Sequence, residues 1–180
     1  VDSPAVVLLD DAGLRTTTIQ KNVSVSLKAI LSDGTQAAMP ASALRGLTMV
    51  ESRQGVAIFQ DISITSASKD LVLVFAIDDA HVISESFEVV HGPVAKIEVQ
   101  QQPGIEQFTG LSILPLPRVS LFDVFGNLAS SSTAEISACV ASASGCDNTG
   151  AVDLQSPVVP SSSGTATFTD IKLLWRHQDA

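Results

Sequence analysis

The chain has 180 residues, 45% of them hydrophobic, 16% charged and 4% aromatic, and ten Lys and Arg against 19 Asp and Glu give a net charge of −9. One large domain or two small ones fit that length, and so apolar a composition excludes a disordered tail or a coiled coil. The acidic balance opposes binding to a phosphate backbone or to anionic lipid headgroups, so no nucleic-acid partner and no direct membrane insertion are expected; the longest aliphatic run, Leu71–Ile77, is far short of the roughly 20 residues of a spanning helix.

In chain order, apolar and polar residues alternate through segments rich in Val, Ile, Thr and Ser, the pattern of half-buried strands. Strands are expected near 4–9, 22–31, 44–50, 56–64, 71–77 and 85–90, then near 94–101, 117–123, 134–141, 151–159 (weak, broken by Pro157) and 164–174. No stretch has a convincing helical period. The opening Val1-Asp2-Ser3-Pro4 has neither the basic nor the apolar part of a signal peptide, so a targeting segment is expected outside these residues or already removed.

The second set of strands repeats the first. Pro4, Asp10 and Gly13 align with Pro117, Asp123 and Gly126, each displaced by 113 residues, and Val23, Val25 and Leu27 match Ile136, Ala138 and Val140 at the same offset. Gly55, Ala57, Phe59, Asp61 and Ile62 match Gly164, Ala166, Phe168, Asp170 and Ile171 at an offset of 109. In both copies the inward parity changes between Phe and Ile, which predicts a bulge there and a core containing Ala57, Phe59, Ile62, Ala166, Phe168 and Ile171. The fold class expected is all-β: two tandem β-sandwich repeats over 1–92 and 93–180, joined by the short His91-Gly92-Pro93. Copy one lacks a counterpart of Val94–Gln101, and copy two stops before a counterpart of Ser84–Val90. These complementary gaps predict a window of a longer array whose cut ends are covered by the continuing chain or by a strand donated from a neighbouring subunit.

An Asp-x-x-Gly-Asn turn (Asp123 to Asn127), an alternating strand and then Gly-x-Ala-x-Phe (Gly164 to Phe168) resemble the immunoglobulin-like repeats of extracellular proteins, including bacterial invasin/intimin-type adhesins and algal or protist mastigoneme-type glycoproteins. Copy one departs from that pattern, with Leu14 after Gly13. The resemblance implies a spacer, adhesive or filament-forming module at the cell surface or outside the cell, with neighbouring repeats of the same chain or identical filament subunits as partners.

Chemistry is sparse. His81, His91 and His177 show no metal or triad spacing, and no nucleophile-elbow, zincin, dinucleotide or phosphate-loop motif is present, so no catalytic residue, metal or cofactor is expected. Asp10, Asp11, Asp78, Asp79, Asp123 and Asp170 are expected to be solvated turn carboxylates rather than calcium ligands. Cys139 and Cys146, seven apart, suit a disulfide in an oxidising compartment; two free thiols or an interchain bridge are the alternatives. Asn22-Val23-Ser24 is an N-glycosylation sequon on the polar parity of its strand. Thr16, Thr17 and Thr18, with Ser130, Ser131, Ser132 and Thr133 in the equivalent loop and Ser161, Ser162 and Ser163 in another, are candidate O-glycosylation sites or plain soluble turns. Pro157 and Pro160 resemble the hydroxyproline context of algal wall-type proteins. One Trp and no Tyr leave little aromatic surface for gripping sugars or proteins, which favours a structural module over an adhesin that binds a receptor or glycan through its loops.

Overall fold

The computed structural model of the chain describes residues 3–142, 145–147 and 152–175. The chain divides into two compact units, Val1–Val90 and His91–Ala180. Among the described residues it is nearly all-β, consistent with the β-sandwich class, and its helical content is one 3-10 turn at Ala41–Ala43.

Unit 1 contains β1 (Ala5–Val7), β2 (Asn22–Ile30), β3 (Gln36–Ala38), β4 (Leu44–Arg45), β5 (Met49–Glu51), β6 (Val56–Ile58), β7 (Ser63–Ile64), β8 (Ser68–Ile77), β9 (Ala80–Ile83) and β10 (Phe87–Val89). All pairings are antiparallel. β2 and β8 form the centre of a six-stranded sheet flanked by β3, β5, β9 and β10, while β1 pairs with β6 and β4 with β7. The apolar run Leu71–Phe75 is buried throughout because β8 is a central strand. Val23, Val25 and Leu27 of β2 join Leu71, Leu73 and Phe75 of β8 and Ala57 and Phe59 in one core, where the Phe59 and Phe75 ring centroids lie 5.3 Å apart.

Unit 2 contains β11 (Lys96–Gln101), β12 (Arg118–Phe122), β13 (Glu135–Ser137), β14 (Val140–Ser142), β15 (Gly145–Asp147), β16 (Val152–Gln155), β17 (Val158–Pro160), β18 (Thr165–Thr167) and β19 (Lys172–Trp175). Its core gathers Val119, Leu121, Ala129, Ile136, Leu154, Ala166, Phe168 and Ile171. Three pairings of unit 1 recur in unit 2 in the same register. Val6↔Ala57 in β1–β6 becomes Val119↔Ala166 in β12–β18, Val23↔Val50 in β2–β5 becomes Ile136↔Val159 in β13–β17, and Leu44↔Ile64 becomes Leu154↔Leu173.

Turns recur as well. In the first, the Asp10 carboxylate accepts the amides of Ala12 and Leu14, and that of Asp123 accepts those of Phe125 and Asn127. In the second, Gln54-Gly55 and Ser163-Gly164 take positive φ at both central positions, 49° and 73° in one copy and 50° and 73° in the other. Glycine is required there for a second reason: a Cβ on Gly55 would lie 2.0 Å from the Thr16 carbonyl oxygen, and one on Gly164 would lie 2.9 Å from that of Ala129.

The parity change between Phe59 and Ile62 has a different cause from the expected bulge. The chain leaves β6, which pairs with β1, and enters β7, which pairs with β4 in a separate sheet. Phe168 to Ile171 makes the same crossing from β18 to β19, whose partners are β12 and β16. Of the six expected core residues, Ala57, Phe59, Ala166, Phe168 and Ile171 are buried, whereas Ile62 is half-buried at the edge of the core.

Candidate functional site

Where the chain enters unit 2, His91 and Gly92 meet the turn and loop that follow β12, 31 to 40 residues on. The turn after β12 holds the Asp123 side chain inward, with 2% of the residue's surface exposed. Its Oδ1 accepts the amides of Phe125 and Asn127, both at 2.9 Å, while Oδ2 accepts the amide of Gly92 at 2.9 Å and the side-chain amide of Asn127 at 2.8 Å. Burial disfavours the charge, but the Asn127 side chain and the amides of Gly92, Asn127 and Phe125 outweigh it and lower the Asp123 pKa to about 2. Beside it, the His91 ring spans from the Gly92 carbonyl (Nδ1, 2.7 Å) to the Ser131 hydroxyl (Nε2, 2.7 Å), and the Ser131 amide donates to Nε2 at 3.2 Å. A carbonyl only accepts and Nε2 is receiving an amide proton, so Nδ1 carries the ring hydrogen of the neutral imidazole.

Asp123 is thus a buried anion holding the first residues of unit 2, not the solvated turn carboxylate expected. Its alignment with Asp10 hides this. Asp10 makes the same turn but is exposed, and Leu14 gives it a backbone amide without the side-chain amide that Asn127 adds. The Gly-Asn pair after Asp123 is the one local sign of the difference, and the Gly92 contact lies 31 residues away. The arrangement is suited to positioning backbone, since the carboxylate and the ring are held mainly by amides and a carbonyl of the surrounding chain. No cluster of three or more His, Cys, Asp or Glu side chains occurs among the described residues, and His177 lies outside them.

Cys139 and Cys146 form a disulfide that closes the β14–β15 hairpin, with Cα atoms 5.5 Å apart and Cys146 opposite Ala141. This bond indicates an oxidising environment. No helix among the described residues is long and apolar enough to cross a membrane.

The other marked residues separate by accessibility. Asn22 begins β2, exposed and opposite Glu51. Thr17, Thr18, Ser130, Thr133, Ser162, Ser163 and Pro160 are exposed, and Pro157 is half-buried. Four hydroxyls are already engaged: Thr16 donates to the Leu8 carbonyl, Ser131 meets His91, Ser132 accepts the Ala134 amide, and Ser161 donates to the Ser132 carbonyl. Ser161, expected in a soluble loop, is buried because it occupies the place that Ser52 fills in unit 1, where the amides of Ser52 and Ser161 bond to the carbonyls of Lys21 and Ala134 respectively. No protein-family model matches the chain, and no curated protein or solved structure matches it either.

Proposed function

We propose that the chain comprises two tandem immunoglobulin-like modules of a secreted, glycosylated fibrous or cell-surface protein, and that it serves as a stiff spacer or filament building block. The observation that carries this is the recurrence in both units of the same strand registers, turns, buried serine and sheet-to-sheet crossing. Repetition of one module extends a chain while each copy keeps its own core. The disulfide fits an oxidising exterior, and exposed Asn22 and the exposed hydroxyls of Thr17, Thr18, Ser130, Thr133, Ser162 and Ser163 provide surface for sugars. On this reading the chain has no catalytic role and no cofactor, and its partners are like modules.

Fractionation of the native source followed by non-reducing intact-mass measurement tests the proposal. The expected result is recovery in the extracellular or cell-surface fibre fraction, with both cysteines oxidised and hexose increments on the mass. Recovery as a reduced, unmodified intracellular protein overturns it. A soluble form that binds a receptor or a glycan through its loops would replace the spacer with an adhesin.

A further inference from the structure

Among the described residues, one difference between the two units lies at the edge of a strand they share. In unit 2, β12 is paired on both sides, with β18 on one edge and β11 on the other. Among the described residues of unit 1, the equivalent strand, β1, pairs with β6 alone. Because the Leu8 amide donates to the Gly55 carbonyl on the β6 side, the alternation of an antiparallel ladder turns the peptide groups of Val7 and Leu9 toward the open edge. Burial follows this difference. Val119 and Leu121 of β12 are 9% and 0% exposed, while their counterparts Val6 and Leu8 are only half-buried.

The open edge borders an apolar groove. One part, of about 470 Å³, and an adjoining part, of about 690 Å³, run between β1 and the β8–β9 wall, lined by Val6, Val7, Phe75, Val82 and, further along, Phe87. Unit 2 supplies the complementary half of the picture. Ile97 and Val99 of β11 sit opposite Leu121 and Val119 and therefore share their core-facing side, yet they remain 54% and 51% exposed. Among the described residues, unit 1 has the wall with no such strand on β1, while unit 2 has the strand with its two core-side aliphatics open.

We propose that the edge of β1 is a strand-acceptor site, which takes one extended peptide segment of the β11 type laid antiparallel to Ala5–Leu9. The equivalence of β1 with β12 fixes the register. The position of Ile97 falls opposite Leu8, that of Val99 opposite Val6, and that of Glu98 exchanges backbone hydrogen bonds with Val7. The required ligand has two β-branched aliphatic residues at alternate positions, both directed into the groove against Phe75 and Val82, with polar residues between them facing solvent. Main-chain pairing supplies general affinity and the two apolar side chains select the sequence. This deepens the building-block reading by naming how a module edge is completed, and its failure would leave the native-source test of that reading untouched.

The test adds a capped peptide with the sequence of Val94–Gln101 to the full chain, read by amide exchange and titration. Saturable binding is expected, with slowed exchange at Val7 and Leu9. N-methylation of the peptide at Glu98, which removes the donor facing Val7, should weaken binding at least about tenfold, and so should Asp at the two aliphatic positions. N-methylation at Ile97, whose amide faces away from β1, should weaken it far less. In the host, Val82→Lys should reduce binding; the peptide variants decide the question if that protein does not fold. Absence of saturable binding, or equal binding of the two N-methylated peptides, overturns the acceptor site. Protection of Val7 and Leu9 by self-association without peptide also overturns it, in favour of a second copy as the occupant.

Discussion

Asp123 and Asp10 occupy equivalent positions in equivalent turns, and their surroundings give them different energetic weight. Asp123 is buried and accepts four hydrogen bonds, one of them from Gly92. Its folded pKa of about 2 lies below the ordinary 3.8, so the native state holds the charged form more tightly than the unfolded chain does. The stabilisation, about 2 kcal/mol, is present above pH 4 and is lost as the pH falls toward 2. Urea midpoints between pH 2 and pH 5 should show this acid loss in unit 2. Asp123→Ala should remove that share of the pH dependence and cost about 2 to 3 kcal/mol at neutral pH, because its donors lose a charged acceptor. An unchanged acid profile in the variant would show that other carboxylates govern the transition.

At the scale of elements, the crossing from one sheet to another explains why a single phenylalanine matters in each unit. Phe59 and Phe168 are the last inward residues before the chain changes sheet, and their amides donate to the Pro4 and Pro117 carbonyls at 2.9 Å. Phe59→Ala or Phe168→Ala should cost about 3 to 5 kcal/mol through lost burial and the cavity left behind. Calorimetry should show the loss in the unit that carries the substitution. The β14–β15 hairpin depends on a covalent tie instead. Its disulfide closes a loop of a few residues, so Cys139→Ala with Cys146→Ala should cost about 2 to 3 kcal/mol on the chain-entropy account, measured by denaturant midpoint against the oxidised parent.

Much of this architecture is legible in the sequence where side-chain alternation and glycine-requiring turns act locally. The offset of 113 residues that aligns Asp10 with Asp123 also aligns their hydrogen bonds, and the parity change after Phe59 correctly marks a break although it does not reveal a change of sheet. Elements defined by their partners are not legible. β3 has only three residues, too few for its alternation to stand out, and β9 is exposed along its whole length; each exists because β2 or β8 offers it a ladder. Asp123 is hidden for the same reason, since its burial depends on a glycine far away in the chain. Ser161 shows the converse: a serine run reads as a solvated loop, while one member replaces a buried hydroxyl of the other unit.

Over the whole molecule, three strand pairings are used twice with different completions, and unit 2 carries the Gly92–Asp123 and His91–Ser131 contacts and the disulfide. Those contacts have a mechanical consequence. Tension drawn along the backbone into His91 and Gly92 reaches the Asp123 carboxylate and Ser131 before it reaches the β11–β12 ladder, so these contacts form the first resisting element on the load path into unit 2. A carboxylate loses its charge on acidification whereas the backbone ladder does not titrate. Pulling unit 2 from its leading end in an atomic force instrument should therefore give a lower initial rupture force below about pH 2 than at neutral pH, and Asp123→Ala should give the lower value at both.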